Sequence, residues 1–295
     1  MAQDSGTRTL ISHAQLRRGR GRVVYWTLLT VVVVVFTLVF LGPLYWMVTG
    51  ALKSGQEIAQ VPPTLFPEDP QPQNYVDAWQ NLDLAKLLFN TFYYATGAVL
   101  FQLVFDAAAA YSLSKLRPVL GNVILGLMLA TLMIPAMVLI VPQYVTVIDL
   151  PILHINLLDS PFAIWLPLVA NAFNIFLLKR FFDSIPEELM SAAVMDGASP
   201  LRTLWSIILP MSRPILGVVS ILAVTAVWKD FLWPKLVMPS PETRTVSVGI
   251  YAFSGGTPMN VVVAASVIAA IPTVIIFLIF QRNIMSGLTT GSIKG

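Results

Sequence analysis

The sequence predicts an all-α integral membrane protein with six transmembrane helices and both termini in the cytoplasm. Three observations carry this. The 295 residues are 56% hydrophobic and only 11% charged, far from the ~25% charged residues of a soluble domain. Six apolar runs approach or exceed the ~20 residues needed to cross hydrocarbon. The Lys and Arg residues are also unevenly divided between the segments that join those runs, which sets the orientation.

Taken in order, residues 1–22 form a polar, Arg- and Gly-rich tail, and Arg17, Arg18, Arg20 and Arg22 abut the first run, 23–48. That run exceeds the ~7–15 residues of a signal-peptide core, so it reads as a retained span. Further spans are expected at 89–113, 120–141, 161–178, 214–233 and 261–280, followed by a tail over 282–295. With the N-terminus inside, Lys53, Lys86, Lys229, Lys235 and Arg244 fall outside, and the other 13 of the 18 basic residues fall inside. Segment 179–213 is therefore cytoplasmic. Outside, segment 50–86 is proline-rich and acidic and reads as a hydrated loop ending in a short helix near 75–79. Segments 142–160 and 234–260 read as further external connections.

The composition excludes several function classes. The net charge of +3 is scattered and forms no basic stripe for nucleic acid. The absence of cysteine removes disulfides and thiolate chemistry, and His13 and His154 are too few for a histidine metal site. There is no G-x-x-x-x-G-K-[ST] phosphate loop, no H-E-x-x-H and no nucleophile–base set in plausible register. The chain is expected to be no enzyme, and energy for uphill transport must come from a partner or an ion gradient.

The cytoplasmic segment looks built to fold. Ser184 and Glu187 make a capping-box pattern with Pro186 in the first turn. Gly197 supplies a left-handed C-cap after Asp196, and Ser199-Pro200 restarts the chain as N-cap and first helical residue. Leu201, Leu204, Trp205 and Ile208 then recur at i, i+3, i+4, i+7, which predicts one apolar face.

Ser191-Ala192-Ala193, Asp196-Gly197-Ala198 and Ile207-Ile208-Leu209-Pro210 resemble the EAA loop of ABC importer permeases, E-A-A, three residues, G, nine residues, I-x-L-P. The resemblance implies that 184–209 is a coupling element that docks into a groove of an ATPase subunit. Its contacts would be Glu187, Glu188, Ser191, Ala192, Ala193, Asp196, Gly197, Leu201, Leu204, Trp205, Leu209 and Pro210. Ser191 stands where the family has glutamate, so docking is expected to rest on the apolar face, the Ala192-Ala193 pair and Asp196. Trp228-Lys229-Asp230-Phe231-Leu232-Trp233 resembles the W-N-[DE]-F-L-W segment of carbohydrate-type ABC permeases, with Lys229 for asparagine. The C-terminal G-L-T-T-G-S-I-K-G resembles the tail of the second permease of maltose-type importers, where Gly287, Thr289, Gly291 and Lys294 would reach the ATPase interface.

The resemblance thus implies a MalG-type permease with the type I ABC importer fold. It implies a second permease of the MalF type, two ABC ATPase subunits and an external solute-binding protein as partners. No cofactor is expected on this chain, ATP and Mg being used by the ATPases. The solute implied is a sugar or oligosaccharide; the alternatives are a non-sugar solute such as glycerol phosphate, or an ion-coupled secondary transporter.

Candidate path residues are polar groups placed in spans, each costing a few kcal/mol in hydrocarbon unless paired or hydrated. Gln102 and Asp106 lie one turn apart, and Asn171 and Asn174 share a face; Trp228 and Asp230 stand at the outer end of the fifth span. For the asparagines, path lining and interhelical hydrogen bonding worth ~1 kcal/mol are both open. Asp106 is expected either to pair with Lys115 or Arg117 or to relay a proton. Pro135, Pro167 and Pro272 mark bends at a gate or ordinary kinks.

Overall fold

In the computed structural model, the backbone is described for residues 19–289 and the side chains for 21–281. Among the described residues the chain is helical with no strand. The principal helices are α1 (Gly19–Ala51), α2 (Gln73–Asn81), α3 (Leu84–Tyr111), α4 (Gly121–Thr131), α5 (Ala136–Ile148), α6 (Phe162–Leu168) and α7 (Ala172–Asp183). They continue with α8 (Glu187–Met195), α9 (Pro200–Met211), α10 (Arg213–Lys229), α11 (Leu232–Val237), α12 (Val246–Phe253) and α13 (Met259–Thr289).

Three helices, α1, α3 and α13, are long and apolar enough to cross a membrane, and the bent pairs α4–α5, α6–α7 and α9–α10 bring the number to as many as six if each pair is one span. The predicted 120–141 run is not one straight helix: α4 and α5 meet at 104°, with Pro135 as the N-cap of α5. Proline lacks the N–H that would continue the ladder and disfavours helical geometry at the residue before it. The predicted 161–178 run is broken by 51° between α6 and α7, and α9 turns into α10 by 84°. Pro272, by contrast, lies inside the continuous α13. That helix extends past the predicted end at 280, to Thr289.

The bundle is centred on α3, which packs against α10, α7 and α6. Its small residues Ala95, Ala98, Ala107 and Ala110 are buried and let neighbouring backbones approach. Gly97 goes further. A Cβ there would lie 2.2 Å from the indole of Trp165, which cannot retreat because its Nε1 donates to the Tyr94 carbonyl at 3.0 Å and its ring stacks on Phe101 at 5.3 Å. The most apolar stretch of α1 buries nothing within the chain, leaving it for lipid or a partner.

Contacts sort the connecting segments into two ends. At one end lie the α3 terminus and segment 183–187, at the other segments 86–94, 159 and 237–246. The external 52–82 segment is more ordered than the hydrated loop expected. Lys53 is buried, donates to the Thr64 carbonyl and covers the Trp46 ring. Buried Glu57 accepts from Thr64 Oγ1 at 2.6 Å and Glu68 N–H at 3.1 Å. Asn74, on α2, donates to the carbonyls of Ala51 and Lys53 and accepts from Asn260.

Candidate functional site

The cytoplasmic hairpin forms by the local rules its sequence suggests, with one exception. Gly197 has φ +72°, its N–H bonds Val194 O and the Ala198 N–H bonds Ala193 O, both satisfying end carbonyls of α8. This is a Schellman C-cap, and its left-handed residue is where glycine alone is unstrained. Ser199 then accepts from Arg202 N–H at 3.3 Å, with Pro200 opening α9. The exception is the capping box. Ser184 Oγ donates back to Phe181 O at 2.6 Å, Pro186 is the N-cap, and α8 begins at Glu187. Glu187 instead pairs with Arg117.

The predicted apolar face of α9 divides in two. Leu204 and Ile208 are buried against Ala107, Tyr111 and Phe182, so they anchor the hairpin and are not available to a partner. Leu201 and Trp205 remain 69% and 63% exposed. The cause is the π-helical turn over Leu204–Ile208, which widens the helix and separates the two i, i+4 pairs. Val194 and Met195 on α8 are 72% and 88% exposed and add to the outward apolar surface. Ala192, Asp196 and Pro210 are exposed as well, Leu209 is half-buried, and Ala193 is buried. Ser191 Oγ is turned to the Glu187 carbonyl at 3.2 Å, and the Glu188 carboxylate makes no ion pair among the described residues.

The hairpin is tied to the end of α3 by three links. Ser114 Oγ donates to Asp183 Oδ1 at 2.7 Å, Lys115 Nζ donates to the Ile185 carbonyl at 2.7 Å, and Arg117 pairs with Glu187. Lys115 and Arg117 are therefore engaged here and neither meets Asp106.

Deep in the bundle, the two polar pairs come together. Asn174 Nδ2 donates to Gln102 Oε1 at 3.1 Å, Asn171 N–H donates to Asp106 Oδ1 at 2.9 Å, and Asn174 N–H donates to Asn171 Oδ1 at 3.0 Å. Gln102, Asp106 and Asn174 are buried. Asn171 is the N-cap of α7, so the cluster satisfies a helix start created by the α6–α7 break. Asp106 Oδ2 has no hydrogen-bond partner among the described residues.

Trp228 is buried, its Nε1 donating to the Ala269 carbonyl at 3.2 Å, which joins α10 to α13. Asp230 ends α10; one of its carboxylate oxygens accepts the Trp233 N–H at 3.3 Å, and it lines a cavity of about 310 Å³ between α5, α6, α10 and α11. Gln143, not singled out in the sequence, lines the same cavity. Asp159 was also missed. It accepts from Ser240 N–H, Ser240 Oγ and Thr243 Oγ1, which joins two external turns. Burial raises its pKa, but the hydrogen bonds from Thr243 and Ser240 outweigh that and leave it below the usual carboxylate value. Of the expected tail contacts, Gly287 and Thr289 fall within the backbone of α13 with side chains outside the described set, and Gly291 and Lys294 lie outside the described residues.

Comparison with known proteins agrees with this architecture. The family model described as "Binding-protein-dependent transport system inner membrane component" matches residues 106–289. The chain is 33% identical over 259 residues to the sulfoquinovosyl glycerol transport system permease protein SmoH of Agrobacterium fabrum, covering 86% of this chain and 89% of that one. It is 32% identical over 268 residues to the sn-glycerol-3-phosphate transport system permease protein UgpE of Yersinia enterocolitica, covering 88% and 94%. A chain of a bacterial ABC transporter involved in the import of the acidic polysaccharide alginate superposes with a TM-score of 0.78 at 24% identity, over 93% of this chain and 99% of that one. The chain belongs to the binding-protein-dependent transport system inner membrane component family and is a non-catalytic, multi-pass permease subunit of an ABC importer.

Proposed function

We propose that this chain forms one half of the path by which a glycerol-bearing polar solute is imported, and that hairpin 184–209 seats an ATPase subunit. The observation that supports the hairpin's role is the outward apolar group Val194, Met195, Leu201 and Trp205 on an element whose other face is anchored in the bundle. Each such side chain contributes up to about 1.5–3 kcal/mol when fully buried, enough together for a groove on a partner to hold the hairpin. Glu188 and Asp196 supply exposed acids beside it. Glu187 is committed to Arg117.

The solute favoured is a glycerol derivative, either the glycerol phosphate alternative or a glycoside of glycerol, over a free sugar or oligosaccharide. SmoH and UgpE are named for sulfoquinovosyl glycerol and sn-glycerol-3-phosphate, and both solutes contain glycerol. Similarity of Trp228–Trp233 and of the last nine residues to carbohydrate and maltose-type permeases supports a MalG-type position opposite a MalF-type permease. In that arrangement the 1–22 and 282–295 tails flank the permease domain, with the latter against the ATPases. Two ATPase subunits using ATP and Mg and an external binding protein complete the importer.

The test is reconstitution of this chain with a second permease, the ATPases and the binding protein in vesicles. Uptake of sn-glycerol 3-phosphate or a glycerol glycoside should require ATP, and ATP hydrolysis should rise with loaded binding protein. Hydrolysis indifferent to the loaded binding protein would sink the importer assembly. Uptake of maltose without uptake of any glycerol derivative would return the solute to the sugar class. Loss of uptake to proton uncouplers alone would favour a secondary transporter.

A further inference from the structure

The helix breaks converge on one place. The cavity of about 310 Å³ is bounded by the start of α5, the end of α6, the end of α10 and the start of α11. Gln143 and Pro167 also line an adjoining cavity of about 300 Å³ that extends along α5 toward Leu150 and Leu157. Non-helical backbone at membrane depth is tolerated where it is buried in protein or lines a water-filled cavity. Discontinuous helices of this kind commonly surround solute sites.

Within the first cavity the polar side chains are sparse. Gln143 makes no side-chain hydrogen bond among the described residues, and the Asp230 carboxylate caps the start of α11, accepting the Trp233 N–H at 3.3 Å with the Phe231 and Leu232 N–H groups also directed at it, which fixes it at the cavity wall. The Trp233 indole is locked, its Nε1 donating to the Ala163 carbonyl at 2.9 Å, so its ring forms a fixed apolar wall. No Lys, Arg or His lines either cavity among the described residues.

We infer that this cavity is a site in this chain for the hydroxylated, uncharged part of the transported solute. Hydroxyls donate to the Asp230 carboxylate and exchange hydrogen bonds with the Gln143 amide, while the C–H face of a glycerol or sugar ring rests on Trp233. A lipid tail gains nothing from either polar group and would leave the carboxylate facing hydrocarbon. A phosphate or sulfonate is repelled by Asp230 and finds no cation, so the acidic end of an acidic solute lies outside this cavity. The volume is at the lower end of the roughly 300–1,000 Å³ of ligand pockets, which suits one such moiety. The inference rests on the importer reading above and adds which part of the solute this chain holds.

The chain has no cysteine, so single replacements Gln143→Cys, Ala226→Cys and, on the apolar run of α1 that buries nothing within the chain, Leu38→Cys report directly in the assembled importer. A water-soluble charged methanethiosulfonate should label positions 143 and 226 and spare 38. Glucosylglycerol at about ten times its Kd should slow labelling about tenfold by occupancy. sn-Glycerol 3-phosphate should protect no better, and Asp230→Asn, which keeps an acceptor for Trp233 N–H, should weaken protection by glucosylglycerol. Absence of labelling at 143 and 226 in a complex that co-purifies intact overturns the inference, as does labelling that neither solute slows. Protection by the phosphate alone overturns the assignment to the uncharged part. Because labelling needs no transport, failure here is distinguishable from failure of ATP-driven uptake.

Discussion

At the external end of the bundle, Asp159 takes three hydrogen bonds from Ser240 and Thr243, Asn74 joins Ala51, Lys53 and Asn260, and Asn90 holds the carbonyls of Glu242 and Arg244. At the cytoplasmic end the hairpin is anchored by Leu204 and Ile208 and three polar links, and it turns Val194, Met195, Leu201 and Trp205 outward. Both ends spend polar groups on their own chain, and apolar side chains such as Val61, Phe66 and Ile152 are exposed externally too. The difference is that the hairpin gathers its exposed apolar residues on one face of an element whose other face is anchored. A surface of that kind marks an interaction site, and on the role proposed for the hairpin a partner's movement there would pass into α3, α7 and α10 through these anchors.

The largest break in this contrast is expected from Gly197→Pro. Proline fixes φ near −65°, opposite in sign to the +72° required, and removes the N–H that bonds Val194 O. ATPase co-purification should fall by at least about tenfold, on the order of 1.4 kcal/mol or more, with the protein still in the membrane. Wild-type amounts of bound ATPase would count against the hairpin's role.

Neighbouring residues of α9 sharpen it next. Leu204→Ala should cost about 2–5 kcal/mol of stability by opening a cavity, read as a lower midpoint in thermal or denaturant unfolding of the purified permease. Trp205→Ala should leave that midpoint within about 0.5 kcal/mol and weaken ATPase binding instead. Equal loss of stability in both would erase the division of the face.

Between the two ends, Asn171→Leu removes the cap of α7 and should cost about 0.5–2 kcal/mol. Solute preference should change little, since Asn171 serves the helix start. A changed preference with unaltered stability would assign it to the path.

The smallest effect concerns pH at the external end. The Asp159 carboxylate has its pKa lowered by its hydrogen bonds. Its contribution is therefore complete above the ordinary carboxylate value and is lost as pH falls through the lowered one. Asp159→Asn should flatten the acid limb of a stability profile; an unchanged limb would show that the latch contributes nothing.

The hairpin's motif, its Gly197 C-cap and its Ser199-Pro200 start were legible because they depend on residues a few positions apart. The division of Leu201, Leu204, Trp205 and Ile208 was not, because the π-helical turn over Leu204–Ile208 departs from the α-helical periodicity used to read the face. Gln102, Asp106, Asn171 and Asn174 stood out as costly polar groups. Their meeting across α3 and α7 was not readable, since periodicity gives a face and not its neighbour. No local pattern marks Asp159, because its partners are 81 and 84 positions away.

Composition and run length by themselves determined that this is an α-helical membrane protein, because hydrocarbon admits only segments that satisfy their own backbone. Charge bias set which end faces the cytoplasm. Tertiary structure decided where the spans break, which half of the α9 apolar face stays exposed, and that Gln143 and Asp230 share one cavity. Those outcomes depend on distant segments competing for the same space and hydrogen bonds, which no local pattern records.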